Sequence, residues 1–271
     1  LDFKDADVIF SDDYFHLTGD GATVRFGDED VQAGTFENTY HLKFNVSETI
    51  TKQKDLLYAK TVGQTMAENS GTNKVSFKFN HALSRLGYTV KTNAAAEGTT
   101  ITLNQITLAG SDPKSTTETA KAFYTEGAID LSTGHWKEHS KDAVKQDFNW
   151  FSGSEDVTSA SESKPYTNPT SDYLFVIPQD FSLTTEDADK LYVIVEYEVT
   201  YKSGTQTSIT NKVYKQIKKK FEQGKAYMLN LTIGLPIEFD VDVTGDINAG
   251  VDGWGTDENI NIGSNDNPWE R

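Results

Sequence analysis

The 271-residue sequence contains no cysteine. This absence excludes disulfides, thiolate metal sites and a cysteine nucleophile within the chain. No apolar run approaches the roughly 20 residues that a membrane-spanning helix needs. The formal net charge of −16 repels phosphate backbones and anionic lipid. We therefore expect neither a nucleic-acid partner nor a direct membrane span.

The sequence also lacks the short motifs of the common active sites. It has no G-x-S-x-G elbow, no phosphate-binding glycine loop and no dinucleotide fingerprint. His135 and His139 have helical spacing, but Trp136 stands where a metalloprotease carries its glutamate. The acidic stretch from Asp240 resembles a calcium loop but lacks two of the required ligands. We expect no enzyme activity, no metal and no cofactor.

Alternating apolar and polar residues run through most of the chain. In "YMLNLTIGLPIEFDVDV" (227–243) every odd position is apolar, which is typical of a strand with one buried face. One strand of that length would span about 56 Å, so we expect a bend at Gly234 to Pro236. The second half, 237–243, is then predicted to cross to another sheet or to leave the domain. The repeated alternation predicts an all-β fold.

Two breaks in the alternation predict local irregularities. The buried parity changes within "HALSRL" (81–86) and again within "ITLNQITL" (101–108). A one-residue slip reverses every side chain, so something must absorb it. We predict a bend or single helical turn in the first stretch and a β-bulge near Asn104 in the second. "LYVIVEYEVTY" (191–201) and the run up to Tyr214 predict an antiparallel hairpin.

Changes in composition suggest how the chain is divided. "NSGTN" (69–73) precedes longer strands, so we predict an N-terminal β-sandwich domain over 1–72 and a second one over 73–254. The polar stretch 135–172 is predicted to be a long surface loop. The alternative boundary between the two domains lies within it, near residue 150. Residues 255–271 form a polar tail.

Four phrases in a fixed order resemble the fimbrillin family, the type V pilus subunits of gut and oral anaerobes. They are "FKFNHALSRLGYTV", "GAIDLSTGHW", "LFVIPQDF" and "FEQGKAYMLNLTIGLPIEF", and they are followed by Trp254. The resemblance covers residues 75–254. It implies two transthyretin-like β-sandwich domains and a surface structural or adhesive subunit of a pilus, with other subunits as partners.

The resemblance further implies export as a lipoprotein precursor to the outer membrane and cell surface, its leader being absent from this chain. Assembly is expected to proceed by β-strand exchange, and the late apolar set able to take part is Ile237, Phe239, Val241 and Val243. The alternative, which we favour, is that these residues complete the core of their own sandwich, because the polar tail after Trp254 offers no other closing strand. Proteolytic maturation is expected after Arg25, because cutting at Arg85 would sever the core. The tail after Trp254 is a poor donor, which favours a tip or accessory subunit.

A second hypothesis is an autonomous cell-surface glycan-binding sandwich. Trp136, Trp150 and Tyr166 lie near the predicted loop, and flat aromatic rings can stack on sugar rings. The alternative is that these rings cap a sandwich core. A host or bacterial surface glycan or protein is thus a further expected partner.

Overall fold

A computed structural model describes the chain over the ranges 15–17, 23–26, 29–32, 41–59, 79–93, 97–115, 119–130, 133–140, 142–185, 188–202, 207–234, 239–245 and 259–260. For the three ranges before residue 41 and the two after residue 234, strand pairing is described but side chains are not.

The described secondary structure is almost entirely β. The first strands are β1 (Phe15–Leu17), β2 (Thr23–Phe26), β3 (Glu29–Gln32), β4 (His41–Asn45), β5 (Leu57–Ala59), β6 (Phe79–His81), β7 (Ser84–Thr92), β8 (Thr99–Ala109), β9 (Phe123–Tyr124), β10 (Glu126–Asp130) and β11 (His135–Trp136). The later strands are β12 (Lys145–Gln146), β13 (Phe148–Asp156), β14 (Tyr166–Thr167), β15 (Leu174–Val176), β16 (Gln179–Asp180), β17 (Tyr192–Tyr201), β18 (Thr207–Gln216), β19 (Lys220–Phe221), β20 (Ala226–Ile233), β21 (Phe239–Gly245) and β22 (Asn259–Ile260). Two short 3₁₀ helices lie at Ile50–Lys52 and Thr170–Asp172. The predicted all-β class is confirmed.

Two large sheets make up the main body of the described chain. One sheet is antiparallel and has the order β13-β8-β17-β18. The other has the order β14-β7-β20-β21-β22, with β15 also pairing with β7. Within the second sheet β20 runs parallel to β7, whereas β21 runs antiparallel to β20. We call them the four-stranded sheet and the six-stranded sheet.

The hydrophobic core lies between these two sheets. Alternate residues of β8 and β17 and of β7 and β20 are buried in one cluster, as period-two strands with one buried face require. Tyr197 links the two sheets, because its hydroxyl donates to the carbonyl of Gly234 at 3.3 Å. Burial raises the pKa of Tyr197 to about 12, so this hydroxyl keeps its proton at neutral pH.

The described part of the predicted N-terminal domain contributes to the same core. Leu42, Phe44 and Leu56 belong to the buried cluster. Strand β4 pairs with β10, and β5 pairs with β6, so two strand pairs cross the predicted boundary at residue 72. The division into two domains, there or near residue 150, stays a prediction.

The long polar loop predicted over 135–172 is not a loop throughout. Four strands lie within it, and β13 forms nine residues of the four-stranded sheet. The composition was misleading because β13 is an edge strand, and the exposed side chains of an edge strand are polar. Two register shifts in its pairing with β8 also break its alternation.

The bend, the bulge and the hairpin predicted from the sequence are confirmed. The chain bends at Ala82 and Leu83 between β6 and β7. On β17, Glu196 pairs with Gln105 and Tyr197 pairs with Leu103, so Asn104 is the extra residue of a bulge. Strands β17 and β18 pair antiparallel over their full lengths.

The predicted course of the long apolar stretch was wrong. Its two halves neither change sheets nor separate, because β21 turns back and pairs with β20 in the same sheet. Ile233 faces Phe239 across the ladder, and Leu231 faces Val241. Because the chain reverses direction between β20 and β21, both alternating halves lie in one sheet. The alternation of apolar and polar residues is the same for a reversal within a sheet and for a crossing between sheets.

The described residues contain no helix that is both long and apolar enough to cross a membrane. Most of the predicted polar tail, 255–271, lies outside the described residues. Its strand β22 pairs with β21 at Val243 and Thr244, so part of the tail extends the six-stranded sheet.

Candidate functional site

The predicted assembly residues lie mainly on β21, beside the last long strand of the six-stranded sheet. Phe239, Val241 and Val243 occupy alternate positions of β21, and Ile237 lies outside the described residues. β21 pairs along seven successive positions of β20 without a register shift. The next strand, β22, covers only two positions of β21. β21 is therefore close to the edge of its sheet.

β20 is the neighbour that would be exposed if β21 left. The side chains of Leu229, Leu231 and Ile233 on β20 are fully buried, and β20 pairs with β7 on its other side. Departure of β21 would leave the backbone N–H and C=O groups on one side of β20 unpaired. Unpaired main-chain groups at a strand edge are the template for strand addition. Departure of β21 would therefore turn β20 into an open edge strand.

Arg25, the predicted maturation site, lies on β2. β2 is the middle strand of the sheet β1-β2-β3, and Arg25 pairs with His16 on one side and with Asp30 on the other. A protease needs an extended and accessible backbone, so cleavage after Arg25 requires this sheet to open locally.

Trp150 is part of the core rather than of an exposed aromatic surface. Its exposed fraction is 4%, and its ring meets that of Tyr88 edge to face at a centroid distance of 5.0 Å. Its indole N–H donates to the carbonyl of Asp172 at 2.8 Å. Burial is the main cause of the raised pKa of Tyr88. In this position Trp150 presents no free ring face to a sugar.

Trp136 and Tyr166 are partly buried against the same core. The indole of Trp136 donates to the carbonyl of Ala82 at 2.6 Å, which ties β11 to the bend before β7. A Cβ added at Gly127 would lie 2.8 Å from the Trp136 ring, so the absence of a side chain there lets the ring approach the backbone of β10. The ring of Tyr166 lies 6.4 Å from that of Tyr88. The three predicted glycan contacts thus share a core and do not form a common exposed platform.

A cluster of polar and aromatic side chains joins segments that are distant in the sequence. The ring of His139 stacks on Tyr124 at 3.6 Å with an interplanar angle of 9°. Lys145 lies 4.6 Å from the centre of the Tyr124 ring and forms an ion pair with Asp189. Gln179 also donates to Asp189, at 2.7 Å. Burial, followed by the charge of Lys145, lowers the pKa of His139.

This cluster does not have the composition of a metal site. The Nε2 atom of His139 is buried and has no hydrogen-bond partner. Among the described residues there is no group of three or more His, Asp or Glu side chains that could hold a metal ion. The stacking and the ion pair instead hold together β9, β12 and the segment before β17.

A family model describes most of this chain. The fimbrillin-like model matches residues 25–254. The chain belongs to the fimbrillin-like family. The match includes Arg25, all of β4 to β21, and the residues that carry the resemblance found in the sequence.

A solved structure has the same fold as this fimbrillin-like chain. The crystal structure of a fimbrial protein from Bacteroides vulgatus aligns with a TM-score of 0.59 at 18% identity, covering 91% of this chain and 75% of that one. A protein from Bacteroides uniformis that bears a cell-adhesion name aligns with a TM-score of 0.38 at 15% identity, covering 80% and 69% of the two chains. The first of these similarities shows a common fold. No curated protein matches the sequence closely enough to count as a relative.

Sequence reasoning missed two features of this fimbrillin-like chain. The cluster of His139, Tyr124, Lys145 and Asp189 was missed because its members come from three segments that only tertiary packing unites. The pairing of β21 with β20 was missed because the alternation of a strand says nothing about which strands are its neighbours.

Proposed function

We propose that the chain is a structural or adhesive subunit of a bacterial surface pilus, and that it joins other subunits by β-strand exchange. Membership of the fimbrillin-like family supports the pilus assignment. The structural similarity to a fimbrial protein agrees with it at the level of the fold. The function is accordingly mechanical or adhesive rather than catalytic.

The observation that carries the exchange proposal is the position of β21. It is a seven-residue strand with alternating apolar residues, paired on one side with buried β20 and almost uncovered on the other. Exchange would replace the β20–β21 ladder within one chain by the same ladder between two chains. Because the hydrogen bonds and the apolar contacts are then alike in both states, the change costs little free energy at equilibrium.

Engineered disulfides can test this proposal, since the chain has no native cysteine. Thr232 and Asp240 are direct partners in the antiparallel register of β20 and β21. Directly opposed residues have Cα atoms about 4.5 to 5.5 Å apart, which is within the range that a disulfide can bridge. The double variant Thr232→Cys with Asp240→Cys should therefore form a bond within one chain in the monomer.

The same variant should form bonds between chains in material assembled on cells, where each β21 pairs with the β20 of a neighbour. Non-reducing electrophoresis would then show a ladder of covalent multimers from filaments and a single band from the purified monomer. The matched control is Thr232→Cys with Thr244→Cys, because Thr244 pairs with Met228, about 13 Å along the strand from Thr232. Assembled material that contains only bonds within single chains would refute exchange of β21.

We also propose maturation after Arg25, with export as a lipoprotein precursor and display at the cell surface. Mass spectrometry of assembled protein recovered from cells tests the cleavage. A new N-terminus at Phe26 is expected, and an uncut chain in assembled material would contradict it. We further propose a tip or accessory position, which predicts that antibody labelling is restricted to filament ends.

We also propose glycan contact for the partly exposed residues Trp136 and Tyr166, but not for the buried Trp150. Binding of a specific oligosaccharide that is lost in Trp136→Phe would support it, provided that the variant loses only the roughly 1 kcal/mol of stability expected from the missing N–H donor to Ala82. Trp136→Phe is the informative variant because phenylalanine keeps an apolar ring against Gly127. An array without a specific ligand would contradict the proposal.

A further inference from the structure

The cluster around Tyr124 holds an amine and a carboxyl group in direct contact. Lys145 lies on β12 and Asp189 lies in the segment before β17, 44 positions further along the chain. The ammonium group of Lys145 donates to the Oδ1 atom of Asp189. The two side chains are only 21% and 26% exposed, so the pair is largely shielded from water.

Hydrogen-bond donors surround the second oxygen of Asp189. The Nε2 atom of Gln179 donates to Oδ2 of Asp189 at 2.7 Å, and the hydroxyl of Tyr124 lies 3.5 Å from the same oxygen. Fixed donors beside a carboxyl oxygen stabilise the negative charge that develops there when a nucleophile adds to the carbon. The surroundings of Asp189 therefore suit attack on its carboxyl group.

Tyr124 interacts with the amine as well as with the carboxyl group. It is the direct partner of Lys145 in the pairing of β9 with β12, and its hydroxyl interacts with both Lys145 and Asp189. Burial is the main cause of the raised pKa of Tyr124, so the hydroxyl keeps its proton at neutral pH. A hydroxyl in this position can accept a proton from the amine and donate one to the carboxyl group.

We propose that Lys145 and Asp189 join through an amide bond between their side chains. The Nζ atom of Lys145 forms a bond to the side-chain carboxyl carbon of Asp189, and one C–O bond of that carboxyl group breaks. Two of the three ammonium protons leave with this oxygen as water. The reaction is a condensation without a change of oxidation state, so it needs no further reactant. The inference does not rest on the proposed pilus function.

Contact within one folded chain favours this condensation. Well-oriented groups of one molecule react with effective molarities of up to about 10⁵ to 10⁸ M, which a free amine and a free acid in water never reach. The amine must lose a proton before it can attack. Transfer of one ammonium proton to the carboxylate, along their existing hydrogen bond, supplies a neutral amine and a neutral acid.

A second lysine–carboxylate contact provides an internal comparison. Lys121 lies 2.8 Å from Oδ2 of Asp147, but its side chain is 54% exposed. Because water solvates this ammonium group, we expect Lys121 and Asp147 to remain an ordinary ion pair. The proposed reaction is therefore specific to the shielded pair.

The bond would connect two parts of the fold that hydrogen bonds alone hold together. It would join β12, and through its pairing β9, to the segment that leads into β17 of the four-stranded sheet. The chain has no cysteine, so no disulfide within it can supply such a link. A covalent link between residues far apart in sequence restricts the unfolded chain, as a disulfide does, and should raise the unfolding midpoint.

Mass spectrometry of the folded chain, denatured for the measurement, tests the bond. The parent should weigh less than its sequence by one water molecule, and a tryptic digest should contain a branched peptide that joins the segments around Lys145 and Asp189. Lys145→Arg keeps the positive charge but removes the amine, so it should have the full mass and a lower unfolding midpoint. Lys121→Arg is the matched control and should still lack one water molecule.

The carboxyl partner supplies a second test. Asp189→Asn should not lose water, because attack of the lysine on its amide would release ammonia instead. A parent chain that keeps the full mass after prolonged incubation at neutral pH would overturn the proposal. So would a loss of water that persists in Lys145→Arg or in Asp189→Asn, because it would arise at another site.

Discussion

Replacing Trp150 by alanine separates its two possible roles, in the core and in glycan binding. The indole is buried, meets Tyr88 edge to face, and donates a hydrogen bond to the carbonyl of Asp172. Emptying a buried tryptophan site typically costs about 3 to 5 kcal/mol. The aromatic pair and the hydrogen bond, each worth about 1 kcal/mol, place the expected cost toward the upper end of that range.

The assay is urea and thermal unfolding of the purified chain. For a protein of this size each kcal/mol lowers the melting temperature by about 2 to 4 °C, so Trp150→Ala should lower it by roughly 6 to 20 °C. Trp150→Phe keeps an apolar ring beside Tyr88 but loses the N–H donor. We expect it to cost about 1 to 2 kcal/mol.

Ser152→Ala on the same strand is the control, because Ser152 is exposed. Its stability should change by no more than about 0.5 kcal/mol. A melting temperature of Trp150→Ala equal to that of the parent would refute the assignment of Trp150 to the core. If glycan binding were lost at the same time, the ring would be a surface contact instead.

Three further predictions concern the contacts that join distant segments. Asp147→Ala should lower the free energy of unfolding by about 2 to 4 kcal/mol, because the Asp147 carboxylate accepts hydrogen bonds from the backbone N–H groups of residues 110 and 122 at 3.0 Å and its removal leaves these partly buried donors unpaired. Urea unfolding measures this loss, and Asp147→Asn should lose less. Burial lowers the pKa of His139 in the folded chain. The contribution of neutral His139 to the free energy of unfolding should therefore be fully present above the unfolded-state pKa of about 6.5 and should be lost as the pH falls below it. An equal pH dependence of stability in His139→Gln would contradict this. Gly134→Ala should destabilise the chain by about 1 to 3 kcal/mol, since Gly134 has a φ of +78° and an added Cβ would lie 2.6 Å from the hydroxyl of Tyr58; a thermal midpoint equal to that of the parent would disprove the close approach.

Local features of this protein could be predicted because they depend on neighbours in the sequence. The bulge at Asn104 follows from the change of parity between Leu103 and Ile106. Successive side chains of a strand point to opposite faces of the sheet, so a change of parity requires one extra residue. The bend at Ala82 and Leu83 has the same origin. The fimbrillin-like resemblance also depended on ordered phrases of sequence, and the family match over residues 25–254 bears it out.

The candidate site could be predicted only in part, for a physical reason. The alternation of Phe239, Val241 and Val243 predicted a strand, but the same pattern fits a strand that crosses between sheets, leaves the domain or turns back. The antiparallel pairing of β21 with β20 decided among them. Likewise, Trp150 is an aromatic residue in a polar stretch, and only its packing against Tyr88 places it in the core.

The sequence by itself determined the all-β class, the positions of the bend and the bulge, and the family, because strand periodicity and ordered motifs are local properties of the chain. Tertiary structure alone decided which strands are neighbours and which lie at an edge. Strand pairing depends on hydrogen bonds between residues that are far apart in sequence, such as those of β7 with β20. The position of β21 beside β20 is a consequence of that order, which the alternation of the strand does not encode.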